Sequence, residues 1–305
     1  MVQEIGTIGL PALRCFSTVA RLGGISAAAT KLGIAKSGVS RHVAQLEAHF
    51  GVRLLERGGR SVKLTPAGAR LELRIRSILA ELDLLEDIAR EETGGVAGRV
   101  SIAATPEFGG AVAKLLFPAL KSEHPDLRLT MRTDYAFEDM QDPSTDIAFR
   151  IGSSHDDRLV AKKLGAFRIW PVAAPEFLRT HPVQTPDDLE HVPCLLFRGD
   201  SANGTWRLFR DEIETSVAVT GTMAVRNFTI LMELAIAGHG VAFLPNFMLD
   251  SAIANGALQR CLPDYSSRAL SVFLTFRPGA RQVARINAVI SLAEKLVPAL
   301  LKDRS

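Results

Sequence analysis

Seven histidines are the side chains of this sequence best suited to metal ligation or to general acid–base work, and their spacing supports neither. His42, His49, His124, His155, His181, His191 and His239 form no H-E-x-x-H or comparable pair. The three cysteines, Cys15, Cys194 and Cys261, lie far apart without a C-x-x-C, so neither a disulfide framework nor a cysteine-rich zinc site is expected. Gly238-His239-Gly240 lacks the third glycine of a dinucleotide fingerprint and reads as a helix end. No G-x-S-x-G elbow and no phosphate-binding P-loop occurs. The acidic group Glu86, Asp87, Glu91 and Glu92 reads as the solvated face of a helix end. The expectation is therefore no catalytic residue, no metal, no cofactor and no enzyme.

Binding chemistry is better represented. The formal charge of +3 over 305 residues hides a strong asymmetry. Residues 1–76 carry twelve Lys and Arg against four acids (Glu4, Glu47, Glu56, Glu72), residues 77–92 carry six acids against Arg90 alone, and the rest is balanced. A basic head suits a polyanion such as double-stranded DNA, although a solvated surface would have the same composition. Within that head, Lys36, Ser37, Ser40, Arg41 and His42 offer hydrogen-bond donors to phosphates and base edges, and Arg57, Arg60 and Lys63 add a second basic group.

The elements that must hold these residues follow from apolar spacing. Leu10, Leu13, Phe16, Val19 and Ala20 predict a first helix ending near Gly23-Gly24. Ser26 is expected to cap a short second helix over Ala27 to Leu32, closed by Gly33. Val39, Val43, Leu46 and Phe50 then define a third amphipathic helix, whose outward face is Lys36 to His42. Two helices joined by a tight glycine turn form a helix-turn-helix, whose second helix enters the major groove. Val52–Arg57 and Arg60–Leu64 around Gly58-Gly59 read as two strands of a basic wing.

Thr65-Pro66 starts a long helix, along which Leu71, Ile75, Ile78, Leu82 and Leu85 are spaced 4, 3, 4 and 3. That heptad seam predicts pairing with a second copy of the chain, the alternative being the core of a single domain. After the small-residue hinge Val96-Ala97-Gly98-Arg99, strand signals (Val100–Ala104, 127–131, 147–151, 168–172, 216–219, 270–274) alternate with helical ones (228–237, 245–254, 282–301). Alternation of this kind predicts α/β units around mostly parallel sheets. The longest apolar runs, such as Val241–Leu244, are far too short to span a membrane. Met1-Val2-Gln3-Glu4 does not open a secretory signal, so a cytoplasmic protein with no membrane partner is expected.

These residues resemble a known family. Leu13-x-x-Phe16-x-x-Val19, Ser26-Ala27-Ala28-Ala29-x-x-Leu32, Val39-Ser40-Arg41-His42-Val43-x-x-Leu46-Glu47, Gly51-Val52-x-Leu54-Leu55-x-Arg57 and Leu64-Thr65-x-Ala67-Gly68 are similar to the N-terminal domain of LysR-type transcriptional regulators. Ala35 and Lys36 stand where the family usually has Ser and Gln, so the third helix is expected to lack its usual cap, with Ser37 taking that role or the end fraying. Gly38 stands where Ala is usual. Further segments look like the family too: Thr145–Gly152, which is similar to its segment crossing from one half of the effector-binding domain to the other, Leu159–Gly165, Ala174–Leu178, Cys194–Phe197 and Ala237–Pro245.

The resemblance implies an all-α winged helix-turn-helix over 1–65, a linker and dimerisation helix over 66–92, and an α/β bilobal, periplasmic-binding-protein-like effector domain over 93–305. One lobe would comprise about 93–161 and 268–305, the other about 162–267. It further implies a homodimer or homotetramer that binds operator DNA and answers to a small-molecule effector in the cleft. The cleft candidates are Thr105 and Pro106 at one helix start, Asn227 and Phe228 at another, and Arg150 and Arg198 as cations. Hydroxyls and amides at helix starts beside guanidinium groups suit an anionic or polar effector, while Arg150 could equally serve a structural ion pair. A solute-binding protein would share the bilobal fold but would not carry a winged helix.

Overall fold

The structure, a computed structural model, describes residues 8–56, 62–91, 96–135, 145–152, 158–197 and 203–302, without the side chains at 80, 83–91, 203 and 222. The chain falls into two compact units, the second starting at Val96.

In the first unit, α1 (Leu10–Leu22), α2 (Ile25–Leu32) and α3 (Lys36–Phe50) bury Phe16, Val19, Ala28, Val39 and Leu46 against one another. The turn between α2 and α3 depends on Gly33, whose φ of 67° lets Ile34 N donate to Ala29 O at 3.2 Å. The expected cap of the second helix moves, and the third lacks a side-chain cap, as its Ala35 led one to expect. The second helix starts at Ile25 on an extended Gly24, which puts Ser26 inside its first turn, where its carbonyl accepts from the Thr30 hydroxyl. Ala35 itself holds the cap position of α3 in extended conformation, with no side-chain hydrogen bond, and its carbonyl accepts from Gly38 N and Val39 N. Ser37 is therefore a first-turn residue and not a cap.

The wing is short among the described residues. Leu55 bridges Leu64 in antiparallel fashion, and Glu56 N donates to Lys63 O at 2.9 Å. The long helix α4 (Pro66–Glu91) starts as expected, because the Thr65 hydroxyl accepts from Gly68 N at 2.9 Å and donates to Arg53 O at 2.7 Å. At Gly68 the helix presses on the strand before it: a Cβ there would lie 2.1 Å from the Leu54 carbonyl oxygen.

The second unit contains two mixed sheets. The first comprises β1 (Gly98–Ala104), β2 (Leu127–Thr133), β3 (Ile147–Ile151), β4 (Val160–Phe167) and β11 (Leu270–Phe276), in the order β2-β1-β3-β11-β4. Two helices, α5 (Pro106–Glu123) and α9 (Ala284–Leu300), pack on it. The second comprises β5 (Ile169–Ala173), β6 (Cys194–Leu196), β7 (Asn203–Arg210), β8 (Ile213–Ala224), β9 (Val241–Pro245) and β10 (Gln259–Arg260), in the order β10-β5-β9-β6-β8-β7. Its helices are α6 (Pro175–Thr180), α7 (Phe228–Ile236) and α8 (Asp250–Ala254).

Three expectations change here. Parallel pairs (β1 with β2 and β3, β6 with β8 and β9) are matched by antiparallel ones on β11, β5 and the β7–β8 hairpin, so the sheets are not mostly parallel. Since β4 runs in the first sheet, the chain crosses to the second at Arg168 and not after residue 161. It follows that the segment 145–152 contains an interior strand of the first sheet and is not the crossing. The β7–β8 hairpin turns at Asp211 and Glu212 with φ of 47° and 66°, a turn made without glycine.

The crossings lie side by side. Ile169 N donates to Ser267 Oγ at 2.9 Å, Ser267 N donates to Ile169 O at 2.8 Å, and Arg168 Nη1 reaches Ser267 O at 2.9 Å. Phe247 packs edge-on against Phe108 and Phe167 next to them, with centroids 5.5 and 5.0 Å apart.

Two glycines of the first unit should respond oppositely to alanine. Gly68→Ala forces a methyl into the Leu54 carbonyl and should destabilise the unit by about 1–3 kcal/mol. Gly38→Ala meets only Ile34 Cδ1, at 3.9 Å, and should stabilise it by up to about 1 kcal/mol. Urea unfolding of the two variants beside the wild type checks both signs.

Candidate DNA-binding face and effector cleft

The exposed side of α3 carries Lys36, Ser37, Ser40 and Arg41, opposite the buried Val39, Val43 and Leu46. His42 is half-buried, its Nδ1 3.3 Å from Oε1 of Gln45, an exposed polar residue of the same helix that the spacing did not single out. The acid of this helix is turned to structural use. Glu47 Oε1 accepts from Leu54 N at 2.7 Å and Leu55 N at 3.2 Å, tying the wing to α3 and leaving its charge off the exposed row. Lys63 is exposed on the wing, while Arg57 and Arg60 lie outside the described residues.

The seam residues separate. Ile75, 2% exposed, belongs to the helical core of its own chain, and Leu71 packs against that core together with Leu79. Period alone had grouped them with Ile78, which is 49% exposed; Leu82 is half-buried and the Leu85 side chain lies outside the described residues. Leu73, not part of the seam, is 55% exposed. Glu72 is buried and takes a bidentate ion pair from Arg76 one turn on.

In the second unit, Thr105 follows β1 and stands at the cap of α5, with Pro106 in the first helical position and no side-chain cap hydrogen bond on the threonine hydroxyl. The register that pairs Ala103 with Ala148 carries Arg150 level with Thr105 at the carboxyl edge of the first sheet. Arg150 is only 7% exposed, and its Nε finds no hydrogen-bond partner among the described residues. A structural ion pair would show as a carboxylate on it, and none is found among those residues. Arg198 lies outside them.

Asn227 caps α7, its Oδ1 accepting from Ile230 N at 2.9 Å. The two predicted helix starts are brought together by a residue that was not predicted. Glu107, next to Pro106, accepts from Phe228 N through Oε1 at 2.8 Å, and the Tyr135 hydroxyl donates to the same oxygen. Burial, reinforced by that carboxylate, pushes the Tyr135 phenol well above its ordinary pKa, so it serves as a neutral donor. Tyr135 meets Phe197 edge-on at 5.3 Å, Phe197 stacks on Phe228 at 4.0 Å, and Arg226 lies over the Tyr135 ring. Glu107 and Tyr135 adjoin the first sheet, and Phe197, Arg226 and Phe228 adjoin the second, so this cluster closes the two lobes on each other. The amide at the start of α7 already has an anionic partner in Glu107.

No other chemistry competes. Cys15, Cys194 and Cys261 are buried free thiols, and burial pushes Cys194 and Cys261 up to about 12, away from the reactive thiolate. Among the described residues no group of His, Cys, Asp and Glu is placed to hold a metal ion, and no helix is long and apolar enough to cross a membrane.

Known proteins share both units. The family model described as "Bacterial regulatory helix-turn-helix protein, lysR family" matches residues 10–69, and that described as "LysR substrate binding domain" matches residues 93–297. The chain is 31% identical to the HTH-type transcriptional regulator PtxR of Pseudomonas aeruginosa, over 97% of this chain and 95% of PtxR. It is 30% identical to an uncharacterized HTH-type transcriptional regulator of Haemophilus influenzae, over 88% of this chain and 93% of the relative. The full-length structure of AphB, a Vibrio cholerae virulence activator of the LTTR family, shares the fold with a TM-score of 0.62 at 24% identity, covering 93% of this chain and 98% of AphB. These are transcriptional regulators and not enzymes. With a winged helix-turn-helix in its first unit and a bilobal effector-binding domain in its second, the chain belongs to the LysR family of DNA-binding transcriptional regulators.

Proposed function

We propose that Lys36, Ser37, Ser40, Arg41 and His42 of α3 enter the major groove of operator DNA, with Arg57, Arg60 and Lys63 of the wing on the backbone beside it. The observation that carries this reading is the exposed row on α3, with the carboxylate of Glu47 withdrawn to the wing amides. The units extend over about 1–65 for the head, 66–92 for the linker helix and from 93 on for the effector domain, in a cytoplasmic protein. Arg41→Ala should weaken operator binding by about 1–3 kcal/mol if it reads a base, and should weaken all sequences alike with a shallower salt slope if it holds a phosphate. Gel shifts at several salt concentrations separate the two, and unchanged binding sinks the assignment.

The protein works as a homodimer or homotetramer paired through α4. Exposure of Ile78 in the single chain supports this, whereas Leu71 and Ile75 serve the helical core. Ile78→Asp should abolish pairing without unfolding the head, because a charge would have to be buried in the contact and nowhere else. Analytical ultracentrifugation reads the mass directly, and an unchanged profile with native circular dichroism would put the interface elsewhere.

The effector binds at the carboxyl edges of the strands between the lobes, near Thr105, Pro106, Arg150, Arg198, Asn227 and Phe228. The partnerless Nε of Arg150 and the uncapped hydroxyl of Thr105 are available to an anionic or polar group, while at Phe228 such a group would have to displace Glu107. Thr105→Val and Arg150→Ala should each reduce the inducer's effect on operator binding about tenfold, the scale of one charge-assisted hydrogen bond, with inducer-free DNA affinity unchanged. An inducer response like that of the wild type in both variants would place the pocket elsewhere.

A further inference from the structure

We propose that an aromatic-walled cavity of the second lobe, adjoining the cleft at Phe228, takes a single uncharged aromatic ring. The proposal rests on reading the C-terminal unit as a small-molecule sensor, and it adds an uncharged aromatic ring to the anionic or polar group proposed at Thr105 and Arg150. The cavity measures about 190 Å³ and is lined by Phe197, Trp206, Phe228 and Phe243, with Leu195 and Leu196 on its floor. All its lining residues come from the second sheet, the segment following β6 and the start of α7; none comes from the first sheet. It thus shares Phe228 with the effector cleft proposed above and extends from it into the second lobe, away from Thr105 and Arg150.

Size and lining select the ligand. An apolar protein cavity of about 150 Å³ stays dry and binds benzene, so this one accommodates a six-membered ring with a small substituent. None of the described lining residues carries a charge, and the Thr205 hydroxyl and the Trp206 indole N–H are the polar side-chain groups among them. A dicarboxylate would find no countercharge among those residues, which disfavours it against an apolar ring. The walls are already arranged as ring pairs. Phe197 and Phe228 stack 4.0 Å apart at 9°, and Trp206 and Phe243 lie 5.2 Å apart at 29°. A flat ligand extends these stacks and presents its edge to the remaining faces.

Occupancy has a short route to the lobe contact. Phe228 lines the cavity with its ring and holds Glu107 with its backbone N–H, and Phe197 lines the cavity while meeting Tyr135. A ring that shifts either phenylalanine shifts a residue whose other contact lies in the first lobe.

The test uses the full-length protein with phenol and succinate as probes, read by tryptophan emission. The chain has two tryptophans, Trp170 and Trp206, so a Trp170→Phe background leaves the cavity residue as the reporter. Phenol should change Trp206 emission saturably and raise the melting temperature, and succinate should do neither. Gly204 lies in the lining, and a Cβ there meets Val219 and Leu196 at ordinary contact distances of 3.6–3.8 Å. Gly204→Ala should therefore weaken phenol binding several-fold, and Gly204→Val more than tenfold. If the larger variant loses its fold by circular dichroism, the alanine variant alone decides. Phenol binding that both folded variants leave intact, a succinate effect equal to that of phenol, or no phenol effect on Trp206 would each overturn the proposal. If phenol fills the cavity as expected and operator affinity stays constant, the cavity stands and the sensing reading fails.

Discussion

At Arg168 and at Ser266–Ser267 the chain passes between its two sheets, and the two passages are hydrogen-bonded to each other through Ile169, Ser267 and the Arg168 guanidinium. A fold built on two crossings can open and close only about that pair. If the two strands were free of each other, the lobes could slide as well as rotate, and an event in the cleft would dissipate in many directions. Asn246 N adds a bond to Arg168 O, and Phe247 wedges between Phe108 and Phe167 beside it, so the hinge is braced by packing as well as by hydrogen bonds. Rotation about one line is the motion left to the effector domain.

Besides that hinge, the contact between Glu107 and the start of α7 joins the two lobes. It is a carboxylate accepting from an amide and a phenol, within a ring of aromatic contacts. Charge-assisted hydrogen bonds of this kind are worth about 1.5–3 kcal/mol. That is close to the coupling free energy of about 1–3 kcal/mol typical between an effector and a distant site. A ligand that breaks or tightens one such contact therefore needs no further source of energy to change the balance of lobe positions.

Much of this was legible in the sequence where the determinants are local. Phe16, Val19, Val39 and Leu46 report their helices through spacing, and Gly23, Gly33 and Gly51 mark where those helices end. The cap of the second helix was misplaced because a cap is worth about 1 kcal/mol, and packing of α2 on α1 outweighs that. Leu71 and Ile75 show the limit of periodicity: a stripe states which face is apolar, and it does not state whether the cover is the same chain or another. The strand β7 stayed hidden because its hairpin turns on Asp211 and Glu212, where a glycine or asparagine would have signalled it. Glu107 and Phe228 are 121 residues apart, and nothing in either neighbourhood encodes their meeting. The crossing was set too early because the lobe bounds came from the resemblance alone, and the pairing of β4 with β11, more than a hundred residues on, is not legible in either segment.

Leu54 deserves a mechanical reading. Its N–H is bound to Glu47 on α3, its carbonyl accepts from Thr65 N and is pressed by Gly68 of α4, and its side chain is fully buried. One residue thus ties α3, the wing and the base of α4 into a single lever arm. The arm has 26 residues, or about 39 Å at 1.5 Å per residue, so a turn of about 10° at its base corresponds to a swing of about 7 Å at its tip. Read in the opposite direction, a displacement of a few ångströms at the far end of α4 reaches α3 as a change of angle.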